Sequence, residues 1–161
     1  MITEDYILKL IRLATEFVVK ALGLAKEGDF LTSEKTMNNG LQDLTGLSID
    51  TLKVMDASTL KSISGDNYTM VFVLAEFLQN LAEIEKIKGS LDLYYIYSKK
   101  ALSLYLSIRN IDDLDTLKPI RQIYKAVKST VYEENLINEL KVYFHEVKNE
   151  EEIEFLNSWS Q

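Results

Sequence analysis

Residues 78–106 read LQNLAEIEKIKGSLDLYYIYSKKALSLYL, from Leu78 to Leu106. Before Gly89 the apolar positions Leu78, Leu81, Ala82 and Ile84 recur at three and four residues, and after it Tyr94, Ala101 and Tyr105 do the same, which is the period of a helix. Gly89 can adopt the left-handed conformation that closes one helix, and Ser90 offers a cap to the next. A connection this short sets the two helices antiparallel and in contact, as a helical hairpin. Worked outward, the first helix reaches back to about Tyr68, capped by Asp66 or Asn67 and carrying Val71, Phe72 and Ala75. The second runs from Leu91 to about Arg109.

The tyrosines Tyr94, Tyr95, Tyr97 and Tyr105, beside Lys99 and Lys100, pose a choice between a stacking surface and a helical interior. Their spacing favours the interior. Tyrosine in place of phenylalanine suits half-buried positions, where the ring lies inside and the hydroxyl reaches a polar partner. Tyr97 falls off the stripe of Tyr94, Ala101 and Tyr105, so it is the one expected to be exposed.

The rest of the chain follows the same period. It has 161 residues with one proline, and strict apolar–polar alternation is almost absent. That pattern predicts an all-α fold of roughly seven to nine helices in a single domain. Its parts are an N-terminal hairpin (1–45), a connector of short helices (46–65), the tyrosine-rich hairpin (66–110) and C-terminal helices (111–161). The first helix is expected from Thr3, as N-cap, to about Lys26, with apolar residues around most of its circumference, so that it needs cover on more than one side. A second is expected over Thr32–Leu44, capped by Thr32 or Ser33 and weakest at Asn38-Asn39-Gly40. Ser48 and Asp56 read as caps of the short connector helices. Asp112, Asp113 and Asp115 read as acids of a helix start, with Pro119 in the first turn, where its missing N–H costs least. Ile153, Leu156 and Trp159 would tether a terminal helix.

The formal net charge is −7. Residues 133–161 carry 2 basic and 8 acidic groups, and so hold most of the excess. An acidic chain without a basic cluster repels a phosphate backbone, so direct nucleic-acid binding is not expected. There are no cysteines, which excludes disulfides and thiolate chemistry and suits a cytoplasmic setting. The start MITEDYILKL has acids where a signal peptide would be basic. No run approaches about 18 uninterrupted apolar residues, so no membrane span is expected.

Residues 78–106 resemble one tetratricopeptide repeat, through Leu81 and Ala82 on the first helix, Gly89 at the turn, and Ala101 with Leu102 on the second. Small residues at Ala82 and Ala101 let two helices approach closely. A fainter echo lies in KALGLAKEGDFLTSEKTMNNGL, with Ala21, Gly28 and Gly40 at comparable places. Gly28 and Gly89 are 61 positions apart, against about 34 for consecutive repeats, so a regular array is not expected. Over most of its length the chain also looks like a family of small bacterial proteins of unknown function with tetratricopeptide-like helices. The resemblance implies helical hairpins packed as a right-handed array. It also implies a partner groove to which Glu76, Gln79, Glu83 and Lys86 would contribute. The corresponding positions on the first helix are Thr15, Val18, Leu22 and Ala25, mostly apolar, which if exposed would favour association.

No catalytic or cofactor signature competes with that reading. His145 is the single histidine, and neither an HExxH spacing nor an ExxH pair accompanies it. The acids at 112–115 lack the glycine and terminal glutamate of a calcium loop. Phosphate-cradling glycine motifs and a GxSxG elbow are absent as well. The expected function is therefore a non-catalytic protein-interaction or self-association module, with no cofactor or metal and with another protein or a second copy as partner. Tyr97, Val18 and Leu22 join the four groove positions as candidate contacts. The alternative is a small-molecule sensor or enzyme with a tyrosine-lined pocket.

Overall fold

A computed structural model of the chain describes residues 4–159. The expected cap Thr3 lies outside them. Among the described residues the chain forms nine α-helices and one 3₁₀ turn, without a strand. Among the described residues no helix is long and apolar enough to cross a membrane.

The helices are α1 (Glu4–Lys26), α2 (Phe30–Thr45), α3 (Ile49–Val54), α4 (Ala57–Ser64), α5 (Tyr68–Lys88), α6 (Leu91–Ser107), α7 (Leu117–Val127), α8 (Glu134–Glu146) and α9 (Glu150–Trp159). Local chemistry accounts for most of their ends. Ser48, Asp56 and Asn67 each accept a backbone N–H three residues on, at the starts of α3, α4 and α5. Gly89 closes α5 in the left-handed conformation, at φ +84°.

Two helix starts differ from the sequence reading. The second helix starts earlier than Thr32, because Asp29 supplies the cap by accepting from the Thr32 amide at 3.1 Å. Ser33 is instead fully buried, its hydroxyl donating at 2.6 Å to the Ala21 carbonyl across the α1–α2 contact. Near the C-terminal half, α7 begins only at Leu117, so Asp112, Asp113 and Asp115 occupy the turns before it. Pro119 does fall in the first turn. The Asn38-Asn39-Gly40 stretch does not interrupt α2: a Cβ on Gly40 would lie 2.6 Å from Phe17 Cγ, so the missing side chain lets α2 approach α1.

The core is organised around α5 and α6. Helix α5 buries Val71, Leu74, Ala75, Phe77, Leu78, Leu81 and Ala82, and α6 is buried without a break from Ala101 to Leu106. Helices covered so far round their circumference must have neighbours on several sides. Accordingly α5 meets α1, α2, α4 and α6, while α6 meets α4, α5, α7 and α8. The all-round helix of the sequence reading, α1, lies towards one side. It packs on α2 and α5 through Ala14, Val18, Ala21 and Ala25, and it leaves Leu8 and Val19 exposed. At the other end α9 packs on α8, burying Ile153 and Leu156. Trp159 is partly exposed and sits edge-on to Tyr132 and Phe155.

Candidate functional site

Several concavities carry polar side chains from more than one helix, and two of them hold the groups that bear on function. The first is an open groove of about 290 Å³ whose lining comes from α1, α5, α6 and α7 together with Asp115. Ile11 and Thr15 face it from α1; Phe72, Glu76, Gln79, Asn80 and Glu83 from α5; Lys118, Pro119 and Gln122 from α7. The i, i+3, i+4 spacing of the α5 residues places them on one stripe.

Hydrogen bonds fix the middle of this stripe. The Thr15 hydroxyl lies 2.9 Å from Glu76 Oε1 and 3.0 Å from the Ile11 carbonyl, so its single hydrogen serves both acceptors. Asn80 Nδ2 donates to the Glu76 backbone carbonyl at 2.8 Å, and the Tyr105 hydroxyl donates to Gln79 Oε1 at 3.0 Å. Burial pushes the Glu76 carboxyl above its usual range, and the hydrogen bond from Thr15 partly opposes that shift. The Tyr105 phenol is pushed well up by burial, then by the charges of Glu76 and Asp115, so it stays a donor.

Of the seven sequence-predicted contacts, Glu76, Gln79 and Glu83 line the groove together. Lys86 is exposed on the same helix but outside that lining, with its ammonium over the Tyr94 ring, 5.3 Å from the centroid. Of the other three, Val18 and Tyr97 require correction. Val18 is 2% exposed, inside the α1 contact, and Leu22 is half-buried against the core. Tyr97, expected at the surface, is also 2% exposed. Burial holds its phenol up to about 12, with the charges of Glu85, Glu34 and Asp50 adding to the effect. Those three acids belong to α5, α2 and α3. Sequence reasoning also passed over Asn80, Lys118 and Gln122, which one helix's periodicity cannot assign to a groove made by several.

The second concavity is a cleft of about 570 Å³ between α4, α6 and α8. Lys61 Nζ donates to Ser103 Oγ at 3.0 Å, and the serine lies 3.0 and 3.2 Å from the two Glu139 oxygens. A serine between a lysine and a carboxylate contains the groups of a nucleophile with its base. Here Lys61 donates to the serine and so is not its base, while Glu139, which accepts from the serine, also faces that lysine at 3.6 Å. Lys99 reaches the Thr130 carbonyl at 3.0 Å and Glu133 at 2.7 Å. Lys100 reaches the Leu52 and Lys53 carbonyls at 2.9 and 2.8 Å. Each of the three lysines therefore ties one element to another, and this network reads as structural. Tyr94 and Tyr97 lie in the core, and Tyr105 reaches the first groove rather than this cleft.

His145 is exposed near the end of α8. Among the described residues no group of three or more His, Cys, Asp or Glu side chains is placed to hold a metal ion. Comparison with protein-family models, with curated proteins and with solved structures gives no significant match to this chain.

Proposed function

We propose that the chain is a cytoplasmic, non-catalytic protein-interaction module, built as a tetratricopeptide-like right-handed array of helical hairpins. A segment of another protein docks in the groove between α1, α5 and α7. The observation that carries this reading is the convergence of Glu76, Gln79, Asn80 and Glu83 on one open groove whose flanks come from helices far apart in the chain. The Thr15, Asn80 and Tyr105 hydrogen bonds hold that surface in one conformation before any partner arrives, which lowers the ordering cost of binding. Tight packing of α5 and α6 beneath it supplies the rigidity.

A photo-crosslinking residue at Glu83, in the groove, should trap a partner polypeptide in cells, whereas the same residue at exposed Lys125 should not. Light scattering on the purified chain then distinguishes a second copy from a different protein. A strict monomer with no groove-specific adduct would overturn the proposal.

A further inference from the structure

We infer that the groove between α1, α5 and α7 takes a basic segment of a partner protein, which sets a lysine or arginine side chain against Glu76 and Glu83. The inference rests on the groove being the docking site proposed above, and it adds the chemistry of the occupant.

Charge complementarity is the first argument. Glu76, Glu83 and Asp115 line the groove, and Lys118 is the one cation there. Elsewhere in the molecule several acids are paired: Glu133 with Lys99, Glu139 with Lys61, Glu146 with Arg109, Glu152 with Lys128. Among the described residues none of the three groove carboxylates has a cation within ion-pair distance. Glu76 is in addition half-buried, with Thr15 as its hydrogen-bond donor. A carboxylate taken partly out of water gains from a counter-charge, and the chain offers it none at this place.

The neighbouring groups argue for a polypeptide. With Oε1 of Gln79 held by the Tyr105 hydroxyl, its NH₂ remains as a donor; with Nδ2 of Asn80 bonded to the Glu76 carbonyl, its Oδ1 remains as an acceptor. Adjacent on α5, the two amides can answer the C=O and N–H of one peptide unit. Ile11, Phe72 and Pro119 give the groove an apolar floor, along which the methylene stem of a lysine or arginine can lie while its charged end meets a carboxylate. The sign of the groove turns nucleic acid away.

The test uses the full chain and a phage-displayed library of random short peptides, counter-selected on Gln122→Trp. That variant fills the groove from an exposed position on α7. Selected peptides are then titrated by fluorescence anisotropy against wild type and against Glu76→Gln/Glu83→Gln, with melting curves to show that each variant is folded. Peptides that lose binding to Gln122→Trp should carry lysine or arginine and bind the double variant about tenfold more weakly. Their affinity for wild type should fall as salt rises. Groove-dependent peptides that are neutral or acidic, or indifferent to the double variant, would overturn the basic segment and leave the groove standing. Peptides that never distinguish wild type from Gln122→Trp would overturn the groove itself. Spermidine displacing a selected peptide at matching concentration would show recognition of a bare polyamine, and it would overturn the polypeptide assignment.

Discussion

Two glycines inside helices show how differently one residue type is used. A Cβ on Gly23 would meet nothing within 4 Å, whereas one on Gly40 would collide with the stem of the Phe17 side chain. Gly23→Ala should therefore raise stability by about 0.5–1 kcal/mol, through helix propensity and lost unfolded-state freedom. Gly40→Ala should lower it by about 1–2 kcal/mol, because overpacking outweighs the same propensity gain; urea melts of the two variants check both signs. Glu76 carries a pH-dependent test. Burial holds its carboxyl above the usual range, so the folded chain keeps this proton more readily than the unfolded one. The contribution to stability is then fully present below the unfolded value and is lost as pH rises through the folded value. Glu76→Gln keeps an acceptor for Thr15 and removes the charge, so it should raise Tm by about 2 °C at pH 7, an advantage that fades as the pH falls through the carboxylate range. Caps such as Ser48, Asp56 and Asn67 were legible because a cap is a rule about four consecutive residues. Tyr97 was not, since its burial, at 2% exposed, is a matter of tertiary packing that the spacing of α6 alone does not carry.

At the scale of elements, the hairpin of α5 and α6 could be read from Gly89, Ser90 and the apolar period alone, and the structure places it at the centre. Helix α1 shows the limit of that method. Its apolar circumference suggested burial all round, but the small residues Ala14, Ala21 and Ala25 make the close contact, while Leu8 and Val19 remain exposed. A composition count cannot distinguish a helix packed closely on one side from a helix packed on two. The short helix α3 depends on α6 in a way no local pattern reveals, because the Lys100 ammonium donates to the Leu52 and Lys53 carbonyls in the manner of a C-terminal cap. Burial lowers the Lys100 pKa, with Asp56 acting against that shift. Lys100→Met keeps the stem and deletes the bonds. It should cost about 1–2 kcal/mol and speed amide hydrogen exchange in α3 and α4 while leaving α8 unchanged. At the far end of α6, Arg109 donates through Nε to Glu146 at 2.8 Å, and its guanidinium also reaches the Leu106 carbonyl. Burial is modest at that pair, so Arg109→Ala should cost about 0.5–1 kcal/mol, less in high salt.

For the molecule as a whole, the all-α class and the sequence of helices were legible, and the groove was legible in part. Glu76, Gln79 and Glu83 could be placed on one stripe from their spacing, but the opposing flank, with Lys118 and Gln122, depends on how α7 returns against α6. That return is a tertiary fact with no local signature. The lysine ties cross the same distance. From adjacent positions on α6, Lys100 reaches 48 and 47 residues back to the end of α3, and Lys99 reaches 31 and 34 residues forward to Thr130 and Glu133. This has a consequence for the chain as it leaves the ribosome. Leu52 and Leu60, fully buried in the finished protein, are made well before the helix whose lysine anchors their segment, and synthesis proceeds at about 5–20 residues per second. The connector must wait, with apolar side chains uncovered, until residue 100 has cleared the exit tunnel. Stalled nascent chains ending just short of α6 should then be cut by protease within 49–64, and chains long enough to expose all of α6 should resist.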